Sequence, residues 1–142
     1  AVAAAHPQAV VIGSDQVASL GHVLLDNPGD AARCREQLAS ESGRRVEIHT
    51  AVVLLRGAPR AAFEHVDLTT VRFRELSAAE IARYVELERP FDCAGGFRSE
   101  GLGVALFASL ETSDPAALVG LPLVWLAGAL RAAGREPLAP GT

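Results

Sequence analysis

Apolar and polar positions along this chain change period several times, and each change predicts an element. The run Ala9-Val10-Val11-Ile12 is uniformly apolar, as in a buried strand, and it meets Gly13, Ser14, Asp15 and Gln16 in succession. The strand is expected to end there and pass the polar residues to a loop facing a cleft, where α/β proteins place reactive groups. Asn27-Pro28-Gly29 reads as a turn, followed by a helix from about Asp30 that stops near Gly43. Val46–Leu55 (VEIHTAVVLL) is rich in β-branched residues, Phe63–Leu76 shows partial alternation, and RGAPR between them predicts a hairpin. Ser77 and Glu80 form a capping box that opens SAAEIARYVELE. In that segment Ile81, Tyr84, Val85 and Leu87 recur at helical spacing until Pro90 ends it. A strand at GVALFASLE and a closing helix after Gly120-Leu121-Pro122 complete the pattern. The opening AVAAAHPQ reads as the last turn of a helix running into a loop at His6-Pro7. No repeat, linker or low-complexity segment divides the chain, so a single domain over residues 1–142 is expected.

Composition narrows the partners. With 49% hydrophobic and 21% charged residues, the 142-residue chain fits a soluble globular domain. A net charge of -4 lacks the basic footprint of a protein that grips polymeric nucleic acid. All 13 basic residues are Arg, so an anion must be met by guanidinium groups, backbone amides or a metal. Cys34 and Cys93 stand far apart and read as buried small hydrophobes, and His6, His22, His49 and His65 lack the spacing of a zinc site. The apolar stretch Ala117–Leu130 is shorter than the roughly 20 residues a spanning helix needs and contains Pro122, so no membrane partner is expected. A reducing cytoplasm is the expected location.

The remaining chemistry lies in Arg89–Gly103, RPFDCAGGFRSEGLG, where four glycines surround Asp92, Arg98, Ser99 and Glu100. That density marks backbone coming close to something, yet neither P-loop nor dinucleotide-fingerprint spacing is present. An isolated Ser14-Asp15 after a strand reads either as a turn cap or as a reactive pair.

The ordered segments VIGSDQV, TTVRFRELSAAEIARYV, PFDCAGGFRSEGLG and DPAALVGLPLVWLAGALRAAG closely resemble the Maf family, nucleoside triphosphate pyrophosphatases also called septum formation inhibitors. The resemblance covers almost the whole chain. It implies an α/β fold of the Maf/ITPase-like kind, with a mixed parallel and antiparallel sheet flanked by helices. Glu100 in FRSEGLG resembles the branch that hydrolyses 7-methyl-GTP to the nucleoside monophosphate and pyrophosphate. By the same resemblance, Asp15 is the proton acceptor that activates water, and Gln16 and Glu100 are the positions that select the base. Ser14 and Arg98 are expected to contact phosphate or support the structure. The cofactor implied is a divalent cation (Mg, Mn or Co), which lowers the pKa of water and offsets phosphate charge. The partner implied is a small-molecule nucleotide, with a homodimer left open. The chain departs from the family twice. The opening strand and loop of the form LASxSxxR do not occur in it, so an N-terminal portion of the family domain is expected to be missing. Asp26-Asn27-Pro28 stands where relatives carry Gly-Lys-Pro. These departures frame the alternative: a catalytically impaired Maf-like nucleotide-binding or interaction protein linked to cell division.

Overall fold

A computed structural model describes residues 1–140. The short helix α1 covers Val2–Ala5 and gives way at His6-Pro7, as the alanine run and the following proline predict. Strand β1 then runs without a break from Val10 to Leu20. The loop expected after Ile12 is therefore strand. Gln16 is half-buried, Ala18 and Leu20 are buried, and Val17 between them is exposed, so the period-2 alternation carries the chain past Gly13. At Gly21, whose φ of 61° suits glycine, the chain turns into β2, Val23–Leu25. The pair is antiparallel, with Ala18 opposite Leu25 and Leu20 opposite Val23.

Helix α2, Ala31–Glu41, opens on Asp30, whose side chain accepts the Arg33 N–H at 2.9 Å. Strands β3, Arg45–Arg56, and β4, Ala61–Phe73, form the expected hairpin around residues 57–60. Helix α3, Ala78–Glu88, carries the full capping box: Glu80 N–H donates to Ser77 Oγ at 3.2 Å, and Ser77 N–H to Glu80 Oε2 at 2.8 Å. Beyond it, β5 is confined to Phe107–Glu111 because residues 103–106, expected as the start of the strand, lie in the 3-10 turn Leu102–Leu106. Helix α4, Leu123–Ala132, follows Pro122. Its first turn is capped from upstream by Asp114, which accepts the Val124 N–H at 2.6 Å.

The five strands form one sheet in the order β2-β1-β3-β4-β5. The sheet is antiparallel throughout, not mixed as the resemblance implied. The chain path gives the reason. Residues 16–49 and 68–113 belong to one compact unit, so neither the helix between β1 and β3 nor the one between β4 and β5 leaves that unit. A parallel neighbour needs a crossover that returns the chain to the strand's starting end.

A second compact unit comprises Ala1–Asp15, Thr50–Asp67 and the chain from Asp114. In it α4 buries Leu126 and Ala129, with Ala133 just past its end, against Leu54, and Val10, Phe63 and Trp125 lie around them. His65 stacks on Trp125 at 5.3 Å between ring centroids. In the unit of residues 16–49 and 68–113, α2 packs on α3, burying Cys34, Leu38, Ile81 and Val85. Phe73, Phe97 and Phe107 meet edge to face there, with centroids 5.4–5.5 Å apart. Such pairs add about 0.5–1.5 kcal/mol each beyond area burial. Phe97 thereby anchors the glycine-rich segment that precedes Arg98.

Candidate active site

Strand β1 fixes Ser14, Asp15 and Gln16 in extended backbone, which holds a side chain more tightly than a loop can. Alternation sends Ser14 and Gln16 to one face and Asp15 to the other. Ser14 and Asp15 are exposed and Gln16 is half-buried. Ser14 Oγ donates to the Gly120 carbonyl at 2.6 Å, tying β1 to the loop ahead of α4. Its proton is committed there, and its oxygen can still accept a second bond.

The glycine-rich segment is organised around Arg98. Its Nη1 lies 3.5 Å from Glu88, its Nη2 3.5 Å from Asp92, and its Nε 3.8 Å from Glu100. Nη2 also reaches Cys93 Sγ at 3.9 Å. Arg98 is expected to touch phosphate or to support the structure; here Nη2 and Nε face Asp92, Cys93 and Glu100 within its own segment, and Nη1 faces Glu88 at the end of α3. The Arg98 N–H donates to the Tyr84 hydroxyl at 3.0 Å, and the Arg98 carbonyl accepts from Gly101 at 3.3 Å and Gly103 at 3.0 Å. At Gly103 a side chain would collide with that carbonyl, so glycine there is a close-approach residue. Glu100 projects from the loop with half its side chain exposed and accepts from Ser99 Oγ at 3.3 Å. Three carboxylates, that of Glu88 on α3 and those of Asp92 and Glu100 in the segment, thus share the one guanidinium of Arg98.

Cys93 differs from the buried hydrophobe the sequence predicts. It is half-buried beside Asp92 and Arg98; burial pushes its thiol pKa up, against the hydrogen bond from Arg98, which lowers it. Cys34 is fully buried, and burial pushes its thiol up to about 11.

Asn27 is exposed in a loop that is itself fixed: Gln37 Nε2 donates to the Asp26 carbonyl at 3.1 Å, and Pro28 is buried. The Gly29 N–H donates to the Phe91 carbonyl at 2.9 Å, and the Pro28 ring sits 3.6 Å from where a Cβ on Gly96 would lie. The structure therefore brings the Asn27 loop against the segment leading to Arg98 and Glu100, a neighbourhood the sequence did not disclose.

Sequence reasoning missed Glu88 and Glu41. Glu88 ends α3 and grips the Arg98 loop, and the signal available was Gly101, where a side chain would meet the Glu88 carboxylate. Glu41 lies fully buried at the end of α2. Its polar setting, SESG, gave no sign of burial. Among the described residues no three His, Cys, Asp or Glu side chains converge to hold a metal ion, so the donor set does not fit a protein-built metal cage. Among the described residues no helix is long and apolar enough to cross a membrane.

Comparison with known proteins follows the same residues. The family model described as Maf-like protein matches residues 1–133. A 7-methyl-GTP pyrophosphatase of Alkalilimnicola ehrlichii is 52% identical over 134 residues, which cover 94% of this chain and 67% of that protein. The proteins of the same name from Xanthomonas oryzae pv. oryzae and Alcanivorax borkumensis are 51% and 47% identical. Each match covers 94% of this chain, and 70% and 68% of those proteins.

Proposed function

This chain belongs to the Maf family, and from that premise we propose that it is a nucleotide pyrophosphatase. Its substrate in this reading is 7-methyl-GTP or a related non-standard nucleotide, and its products are the nucleoside monophosphate and pyrophosphate. The observation that carries the choice of base is the half-exposed carboxylate of Glu100, in a chain whose relatives are named for 7-methyl-GTP. Methylation at N7 gives guanine a positive charge, which a carboxylate attracts and an unmodified base does not share.

Each residue then has a task. Asp15, held on β1, takes a proton from water as the water oxygen bonds to the alpha phosphorus. The bond from that phosphorus to the bridging oxygen breaks, and pyrophosphate leaves. Gln16, whose amide both donates and accepts, and Glu100 select the base. Ser14 steadies β1 through Gly120 and can accept a further bond. Since the described side chains form no metal cage, a divalent cation belongs in this reading as the counter-ion of the triphosphate, and no step depends on it here. The reading places the protein in the cytoplasm, with its nucleotide substrate.

Hydrolysis in water enriched in oxygen-18 tests the reading. It predicts equal amounts of 7-methyl-GMP and pyrophosphate, with the label in the monophosphate. Release of orthophosphate, or label in the pyrophosphate, would refute attack at the alpha phosphorus.

A further inference from the structure

Glu88 is the last residue of α3, and its side chain is 12% exposed. A carboxylate so covered must be matched by donors, and both its oxygens turn toward the loop that carries Glu100. Oε2 accepts the Leu102 N–H at 2.8 Å, and Oε1 lies 3.5 Å from Arg98 Nη1. Those contacts flank Glu100 in sequence on both sides. Between them, a Cβ on Gly101 would lie 2.5 Å from Oε1 and 2.7 Å from Oε2, so glycine there is what lets the carboxylate enter the loop.

The loop's own bonds do not fix Glu100. Arg98 receives the Gly101 and Gly103 amides on its carbonyl, while Glu100 meets Arg98 only at 3.8 Å and Ser99 at 3.3 Å. Removing the Glu88 carboxylate would free the Leu102 amide and leave Arg98 balanced by Asp92 and Glu100 alone, drawing Glu100 inward. Charge-assisted bonds of this kind are about twice as strong as neutral ones. We propose that Glu88 is a positioning residue for base selection: its carboxylate clamps Leu102 and Arg98, and so sets the direction in which Glu100 is presented. The proposal rests on the reading of Glu100 as the base-selecting acid.

The test compares the protein with Glu88→Ala and Glu88→Gln, using two readouts. The first is hydrogen exchange at the Leu102 amide; the second is the ratio of kcat/KM for 7-methyl-GTP to that for GTP. In Glu88→Ala, Leu102 exchange is expected to rise about ten-fold or more, as a local opening would produce. The ratio is expected to fall about five-fold, through KM for the methylated nucleotide rather than through kcat. Glu88→Gln keeps an oxygen acceptor for Leu102, so it should restore amide protection and most of the ratio. Unchanged Leu102 exchange in Glu88→Ala overturns the clamp. Equal losses on both nucleotides, with the ratio intact, overturn positioning in favour of a structural role only. A parent protein with no preference for the methylated base overturns the reading of Glu100, and the Leu102 exchange still decides the clamp separately.

Discussion

The fully buried carboxyl of Glu41 gives the structure its most quantitative prediction. Neither of its oxygens has a hydrogen-bond partner among the described residues, and Oε1 faces the Gly95 backbone, 3.6 Å from where a Cβ would sit. Burial raises its pKa well above the ordinary 4.5, so the folded protein holds it as a neutral acid where the unfolded chain would ionise it. The sign follows from the raised folded pKa. Glu41 costs nothing by ionisation below the unfolded value, and stability falls as pH climbs from there toward the folded value. Over that span the loss has an upper limit of about 1.4 kcal/mol per pH unit. Glu41→Gln keeps the shape and removes the titration. Glu41→Leu also removes the two orphaned oxygens, each costing about 1–3 kcal/mol when buried unpaired, so it should be the most stable of the three proteins. Urea unfolding at pH 5, 6 and 7 with a common m-value measures the difference. The gap between Glu41→Gln and the parent should widen steadily with pH. Stability curves that run parallel across this range would refute the argument, because they would show Glu41 titrating alike in both states.

Two further predictions concern the site. Asn27 stands on the fixed loop packed against the segment leading to Arg98 and Glu100, in a chain without lysine, so Asn27→Lys should speed turnover several-fold, about 1 kcal/mol of barrier. An unchanged kcat would mean that position does not meet the phosphates. Glu100→Gln should lower kcat/KM for 7-methyl-GTP relative to dTTP and UTP while leaving kcat on the unmethylated nucleotides alone. Equal ratios in the two proteins would make Glu100 an ordinary surface acid.

Much of the fold was legible because its signals are local. Asp30 and Ser77 announce their helices through side chains that bond their own first turns, and the RGAPR hairpin needs only its flanking strands. What the sequence hid depends on distant partners. Strand β1 continues through Ser14, Asp15 and Gln16 because Ala18 and Leu20 keep the alternation and pair with β2, which no window ending at Gly13 can reveal. Residues 102–106 leave the strand pattern because the Gly103 N–H bonds the Arg98 carbonyl and the Ala105 carbonyl accepts Arg74 Nε at 2.9 Å. Strand direction was misjudged for the same reason, since it rests on where the connecting helices return the chain. Of the site, Asp15, Gln16 and Glu100 stood out by type and setting. The grip of Glu88 across fourteen residues, and the burial of Glu41 in a polar-looking segment, exist only once α3 and α2 are packed.

Turnover of 7-methyl-GTP by the purified protein and by its Asp15→Asn form tests the central claim most directly. Asn preserves the shape of the side chain on β1 and removes its basicity, so kcat should drop by about 10²–10⁴, the usual contribution of a positioned general base, with KM little changed. An Asp15→Asn protein that releases pyrophosphate at close to the parental rate would contradict the assignment of Asp15 as the group that prepares water for attack.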